Sequence, residues 1–490
     1  IHRKLSIWEP MVVYLPHVSC GPGLIIDLMK RIAILLWSVF LVLFACFTLS
    51  SVNGSEEHSW KAGTAKSVIT PKKQVWLAGY GYNREPQETL HELWVKALAL
   101  QDRNGQRCVL VTSDLMGIPR YMYDRLSRKL KKRFNLDRSQ ILLTFSQNHC
   151  APRLHEDLVD YYPKDPVQTG LVKEYSDKLE GIIMETVAQS FAHMSPARLD
   201  IGEGKAGFAV NRRNNAESDV PEIRATGKTL EGPVDHSVPV MAIYKEDNQL
   251  LAIVFGYACH PTTLNFEKWC GDYPGFAQIE LEKNFPGTMA LFFTACGGDQ
   301  NPLPRRDVLF CEQYGKNLSD AVEKVLLGRM KPLPSELKTA FELVDLDYLD
   351  PPAREELEAA LHAADKDKSA RVRIRASWAE RMLAQMEAGK PFPSSYSYPV
   401  QVWKLGGFLH WISLGGEAVV DYSLRFKKEF GPDTWVCGYA NVLVAYIPSL
   451  RVYQEGGYEG GAFLYEYGLP ANRWAEDVEE RVAEAVHRLV

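Results

Sequence analysis

The sequence has 490 residues, 46% hydrophobic and 24% charged, which is enough apolar material for one large core or two modest ones and excludes a disordered or fibrous protein. Its formal net charge of −5 becomes −7 when residues 1–54 are set aside, leaving 52 basic against 59 acidic side chains. An acidic chain of this kind excludes nucleic acid as the expected partner.

The first segment differs from the rest. Met29-Lys30-Arg31 precedes an apolar run from Ile32 to Leu49, and small and polar residues follow through Gly54. That layout predicts a secretory signal peptide and hence a secreted or periplasmic protein. A retained membrane anchor is the alternative, since the run is near the roughly 18-residue length needed to span a bilayer. A lipoprotein signal ending at Cys46 is a third reading. Residues 1–28 carry no usable pattern and read as upstream translation. Beyond residue 54, seven cysteines with no CxxC spacing argue against a zinc ribbon or a disulfide framework. They are expected to be small buried core residues, with one or two bridges left open.

In chain order, apolar β-branched runs of strand length alternate with longer amphipathic stretches, which predicts a mixed α/β fold, mixed sheets flanked by helices, in a single large domain over residues 55–490. Strands are expected at Arg107–Ser113, Gln140–Ser146, Val238–Tyr244, Leu250–Ala258, Thr288–Ala295, Val400–Leu405, Phe408–Leu414 and Thr434–Tyr439. Hairpins are expected at residues 246–249 and at Gly406-Gly407, a two-residue turn of the kind hairpins favour. Helices are expected at Tyr121–Phe134, Thr169–Phe191, Phe276–Lys283, Gln313–Met330 and from Ala475 onward. The charge-rich stretch 351–389 reads as a peripheral helical hairpin with a solvated face. No internal repeat occurs at solenoid spacing.

Several apolar strands run directly into short polar clusters: Ser146-Gln147-Asn148-His149, Cys259-His260-Pro261-Thr262-Thr263, Gly297-Gly298-Asp299-Gln300-Asn301-Pro302 and Gly415-Gly416-Glu417. Ligands of mixed α/β folds bind where strand ends open into loops, so these clusters are expected to converge. Each one alone is also compatible with a structural histidine, a tight turn or a helix-capping acid. The sequence contains no GxxxxGK[ST], HExxH or GxSxG motif and no GxGxxG after an expected strand, which sets aside phosphate-loop, dinucleotide, zincin and serine-elbow chemistry. Thiol catalysis by Cys150, Cys259 or Cys296 has no supporting ionisation signal.

Ala62-Gly63, Ile69-Thr70-Pro71, Gly79-Tyr80-Gly81, His91, Ala258-Cys259-His260-Pro261-Thr262-Thr263, residues 271–277 and Cys296-Gly297-Gly298-Asp299 occur in that order, and the pattern runs on to Gly461. Together they resemble the neutral/alkaline non-lysosomal ceramidase family. The resemblance implies metal-assisted hydrolysis of an amide bond, in ceramide or another lipid-like N-acyl amide, with zinc held by two histidines, a glutamate and a tyrosine. The matching metal positions are His260, Glu417, Tyr446 and Gln147, where an amide replaces the family's histidine. His149, Arg212 and Tyr458 match catalytic and substrate-contacting positions, and Asp299 and Asn301 match the Gly-Asp-x-Ser-Pro motif expected at the substrate.

The two departures bear on chemistry. A neutral glutamine oxygen is a weaker zinc donor than imidazole and shifts preference toward harder cations. Asn301 stands where the family has a serine proposed as nucleophile, and an amide cannot attack a carbonyl. Family ceramidases also continue into a β-sandwich domain beyond the catalytic part, whereas this sequence ends at Val490, so amide hydrolysis is the firmer expectation and ceramide the weaker one. A small-molecule or lipid amide is the expected partner, with contact to a membrane surface. The alternative reading is an exported, metal-free binding protein with a decayed site.

Overall fold

The computed structural model describes residues 60–349, 351–461 and 463–490, together with Val12, Asp27, Met29, Arg31 and Ala33. The chain divides into two compact units, 1–57 and 58–490. In the first, Asp27, Met29, Arg31 and Ala33 are helical, and the remainder of the expected signal segment lies outside the described residues. Among the described residues no helix is long and apolar enough to cross a membrane.

The larger unit is a mixed α/β fold with two main sheets. The central sheet holds β1 (Trp60–Val68), β2 (Trp94–Gln101), β3 (Arg107–Ser113), β4 (Ile141–Phe145), β5 (Ser195–Lys205), β6 (Ser237–Lys245), β7 (Leu250–Tyr257) and β8 (Met289–Thr294), in the order β8-β7-β6-β5-β1-β2-β3-β4. A second sheet holds β9 (Leu337–Asp347), β10 (Ser395–Leu405), β11 (Leu409–Leu414) and β12 (Thr434–Cys437) in sequence order. The larger helices are α1 (Arg120–Phe134), α2 (Pro166–Ala192), α3 (Asp272–Asn284), α4 (Val308–Leu326), α5 (Arg354–Lys366), α6 (Ala370–Glu387), α7 (Val420–Phe430) and α8 (Val478–Leu489).

One topology occurs three times. In β1–β4, β5–β8 and β9–β12, three antiparallel strands are followed by a crossover helix and a fourth strand parallel to the third. The crossover helices are α1, α3 and α7, and a further helix, α2, α4 or α8, follows each fourth strand. The three fourth strands meet at their carboxyl ends through isolated bridges between Thr144 and Ala440 and between Ala295 and Cys437. The loops that leave the three parallel pairs are thereby gathered in one place.

Alternation along the strands sets the layers. Val95, Ala97, Val109, Val111, Ile141 and Leu143 face a core shared with α1 and α2. Their neighbours Leu98, Leu100, Cys108, Leu110 and Leu142 face the other way, toward Trp403, Trp411 and Trp435 of the second sheet. A period of two thus supplies both faces of a doubly covered sheet. The second sheet buries its other face against α7 and α8. Local signals set the helix ends: Asp165 accepts from the Gln168 N–H with Pro166 in the first turn, and α1 stops at Asn135 in a left-handed conformation.

The expected strands occur with shifts of a few residues, and β3 occurs at its expected limits. Four strands, β1, β2, β5 and β9, were not among those expected. Their residues read poorly as strand: β2 contains the alanine- and leucine-rich Trp94–Gln101, and its Lys96 is buried, donating to Glu282 at 2.7 Å and to the Ala290 carbonyl at 2.7 Å. Helix α3 starts four residues before the expected Phe276, and α4 starts at Val308 because Asp307 caps it, accepting from the Leu309 N–H. Segment 351–389 contains α5 and α6, whose Trp378, Met382 and Leu357 form a buried cluster with Tyr465. The seven cysteines Cys108, Cys150, Cys259, Cys270, Cys296, Cys311 and Cys437 are all free and buried.

Candidate active site

The polar clusters converge because they occupy equivalent places in the three topological units. His260 lies three residues beyond the end of β7, and Glu417 three beyond the end of β11. Gln147 lies two residues beyond β4 and Tyr439 two beyond β12, both with positive φ, at 62° and 51°. Tyr446 is brought in by the short parallel pairing of Glu417–Ala418 with Tyr446–Ile447. These side chains line a cavity of about 280 Å³, except Tyr439, which sits behind His260 and Glu417.

At its centre His260 Nε2 lies 3.0 Å from Glu417 Oε2 and 3.3 Å from Tyr446 Oη. Gln147 Nε2 lies 3.4 Å from the same Glu417 oxygen and 3.1 Å from His149 Nε2. Tyr467 donates to the other carboxylate oxygen at 2.5 Å. His260 Nδ1 is 2.7 Å from the Gly297 carbonyl, which only accepts, so this nitrogen carries the proton and Nε2 presents its lone pair to Glu417. Burial, and then Arg212, hold His260 below its ordinary pKa. Burial pushes Glu417 upward, but the contacts with His260 and Tyr467 and the charge of Arg212 together outweigh it and the net shift is down.

Arg212 reaches the centre from one side. The strand Ala209–Asn211 pairs with Gln300–Pro302, which sets Arg212 beside Asn301. Its guanidinium donates to Tyr446 Oη at 2.9 Å, to Asn301 Oδ1 at 3.2 Å and to Glu459 Oε1 at 2.6 Å. Tyr458 lines the cavity, with its ring 5.1 Å from that of Tyr446 and its hydroxyl donating to Glu466 at 2.9 Å. His149 is half-buried, its ring 4.6 Å from that of Tyr80, and desolvation of the imidazole followed by the nearby Arg84 pushes its pKa well below the ordinary value. Two polar atoms here, Gln147 Oε1 and His149 Nδ1, are buried without a partner.

Eight of the nine site residues expected from sequence are therefore gathered around this cavity, Asn301 through its contact with Arg212. Asp299 does not line the cavity. Its two oxygens accept from the Val420 N–H at 2.8 Å and from Asn211 at 2.9 Å, so it pins the start of α7 to the strand bearing Arg212. Burial raises its pKa to about 6. Sequence reading missed Tyr439, Tyr467, Glu459, Glu466, Tyr80 and the pair Arg305-Arg306. The only available signal was the density of tyrosine and acid in residues 453–467, which no spacing rule singles out.

The donors present fit a divalent cation. Four donors at about 2.0–2.2 Å from a zinc-like ion stand roughly 3.4 Å apart, close to the separations just given. Two facing lone pairs at 3.0 Å and an unpartnered amide oxygen also call for positive charge between them. Among the described residues no three His, Cys, Asp or Glu side chains form a metal-ligand cluster. This site supplies two of that kind and completes itself with a phenol and an amide, a set poorer in nitrogen than zinc prefers.

The family pattern described as neutral/alkaline non-lysosomal ceramidase, N-terminal, matches residues 60–316, just over half of the chain. Comparison with curated protein sequences gives no significant match. Among solved structures, the chain is similar to the neutral ceramidase from Pseudomonas aeruginosa at 17% identity and a TM-score of 0.65, over 88% of this chain and 75% of that one. A ceramidase complexed with C2 gives 16% identity and a TM-score of 0.65, over 88% and 76% of the two chains. A fold likeness over 88% of the chain extends past residue 316. The chain belongs to the neutral/alkaline non-lysosomal ceramidase family, and with it to a family of amide-bond hydrolases.

Proposed function

We propose that this protein hydrolyses the amide bond of a lipid-like N-acyl substrate with water as nucleophile and a divalent cation, zinc or a harder ion, held by His260, Glu417, Tyr446 and Gln147. The observation that carries the reading is the His260–Glu417 pair: a lone pair and a carboxylate oxygen facing each other at 3.0 Å, with the imidazole proton committed to the Gly297 carbonyl. A cation bound there supplies Lewis acidity, lowering the pKa of a water and polarising the scissile carbonyl.

The remaining residues divide the work. Arg212 fixes the Tyr446 hydroxyl and the Asn301 amide, and so orients one wall of the cavity. His149, held neutral by burial, takes a proton from the attacking water through Nε2, the ring nitrogen beside Gln147, and returns it to the leaving amine nitrogen. The Tyr458 hydroxyl stabilises the developing oxyanion or passes a proton to the leaving amine, and a positioned acid or base of this kind contributes about 10²-fold to 10⁴-fold. Gly79 admits the His149 ring, since a Cβ there would stand 2.2 Å from Nδ1. Export, as expected from residues 29–54, belongs to the same reading, and the N-terminus of the native protein measured by mass spectrometry tests it.

A second reading is favoured by Gln147. Its Nε2 faces Glu417 and His149 as a donor, an arrangement that satisfies a metal-free binding site. Metal analysis of the purified protein combined with an N-acyl amide panel, with and without chelator, separates the two. Bound metal and chelator-sensitive hydrolysis support the enzyme, whereas an empty site and no turnover at saturating zinc leave a binding protein.

A further inference from the structure

We infer that the cavity selects an N-acyl amide whose amine part carries an oxyanion, a carboxylate or a phosphate, received by Arg306 above the Tyr80 ring. The inference deepens the amide-hydrolysis reading and rests on it for the identity of the scissile bond.

Of the three arginines that line the cavity, Arg212, Arg305 and Arg306, only Arg306 has no carboxylate partner among the described residues. Arg212 is paired with Glu459 at 2.6 Å, and Arg305 binds both oxygens of Glu217 at 2.8 and 2.7 Å. Glu466 is hydrogen-bonded by Tyr458, and Glu417 belongs to the central set. Arg306 donates only to the Tyr80 hydroxyl, at 2.9 Å. It forms no ion pair among the described residues, although its side chain lines the cavity.

The ground beneath Arg306 adds to the imbalance. The Tyr80 ring carries Arg306 at 5.3 Å and Arg84 at 4.7 Å. Arg84 is buried at 1% exposure and donates to the carbonyls of Ala78, His149 and Phe266, again with no carboxylate partner among the described residues. One aromatic ring therefore holds two guanidinium groups that form no direct ion pair among the described residues, the carboxylate nearest Arg306, Glu217, being bound by Arg305. The Tyr80 hydroxyl cannot supply the missing charge: it donates to the Leu264 carbonyl at 3.1 Å, and burial lifts its pKa to about 12. Arg306 is exposed, so its remaining N–H groups are open to a ligand, and a guanidinium with free N–H groups binds carboxylate or phosphate in a two-point fork.

The placement of Arg306 is also enforced. Its φ of 84° is a left-handed conformation that a non-glycine residue seldom adopts, held by its N–H donating to the Thr263 carbonyl at 2.7 Å. Thr263 lies in the cluster that carries His260, so the loop presenting Arg306 is tied to the reacting centre. The Tyr80 ring packs at a tilt against His149, which in turn touches Gln147. A substrate whose amide lies at Glu417 would therefore direct a group past His149 toward Arg306.

Binding measured by calorimetry in the presence of a chelator, which prevents turnover, tests this independently of hydrolysis. The probes, at monomeric concentrations, are N-lauroylglycine, N-lauroyl-O-phosphoethanolamine and neutral N-lauroylethanolamine. Wild-type protein is expected to bind one or both anionic probes at least about tenfold more tightly than the neutral one, the tighter naming the oxyanion. Arg306→Gln is expected to reduce that ratio below about threefold, and Arg306→Lys to retain part of it. A wild-type ratio near one, or a ratio that Arg306→Gln leaves intact, overturns the inference. So does Arg306-dependent binding to anionic phospholipid vesicles with no preference among the soluble probes. Absence of hydrolysis with the ratio preserved sinks the hydrolase reading alone.

Discussion

His260 and Glu417 are 157 residues apart in sequence, yet Nε2 and Oε2 stand 3.0 Å from each other, each on the third residue after the third strand of its topological unit. The fold thus delivers a neutral imidazole and a carboxylate to one point by using the same loop position twice. A fourth-strand loop adds Gln147.

Gln147→His should tighten zinc binding by at least about tenfold, because imidazole replaces a neutral amide in a preformed set of donors. Competition with a chromophoric chelator measures this without any assay of turnover. An unchanged affinity would remove Gln147 from the proposed metal shell.

Asn301→Ser should leave turnover within about threefold of wild type, since a water mechanism needs no side-chain nucleophile there. Asn301 accepts from Arg212 at 3.2 Å, a contact a serine hydroxyl can also accept. Wild-type protein inert at saturating zinc, with activity appearing only in the serine variant, would mark the natural chain as a binding protein.

Gly79→Ala should lower kcat/KM by about 10²-fold, through displacement of the His149 ring that a Cβ would meet at 2.2 Å. It should also cost about 1–3 kcal/mol of stability, because the residue has a φ of +79°. Gly389→Ala is the control: its φ is +64° but nothing lies within 4 Å, so it should show a stability cost and no change in activity. Equal activities in the two variants would refute the positioning argument.

Arg212→Met should destabilise the protein by about 3 kcal/mol in denaturant unfolding, because it removes one of the two arginines that pair with buried Glu459. Adding Glu459→Gln should recover part of that stability but none of the activity, since Tyr446 and Asn301 still lack their donor. Recovery of activity in the double variant would mean that Arg212 acts only in folding.

Asp157 predicts a pH dependence of stability. Burial raises its pKa to about 7, against an opposing contribution from Arg153, while the unfolded value is about 3.9. Between these values the native state holds a proton that the unfolded chain releases, so the contribution is complete below about pH 4 and is lost as the pH rises to about 7. It amounts to at most about 4 kcal/mol. Asp157→Asn should flatten this decline relative to wild type across that window, and parallel pH profiles for the two proteins would exclude it.

Particular residues show where sequence reading succeeded and where it stopped. Strands β3, β7 and β11 were legible because apolar runs such as Arg107–Ser113 are bounded by turns, and the polar clusters at their ends stood out by contrast. Strands β1, β5 and β9 were not: Trp60–Val68, Ser195–Lys205 and Leu337–Asp347 interleave charged and small residues, and only pairing with neighbours far along the chain makes them strands. Tyr467 and Glu459 escaped because phenols and carboxylates are common and carry no spacing signature.

By itself the sequence determined the family, the mixed α/β class and most of the cavity residues, because motif residues and hydrophobic periodicity are local properties of the chain. Only the tertiary structure decided the threefold use of one topology, the withdrawal of Asp299 into a helix cap, the tautomer of His260 and the unmatched charge of Arg306. These depend on which atoms meet across separations of 37 to 226 residues, and on what burial does to a proton or a charge. Such contacts are set by packing between strands whose residues show no common pattern.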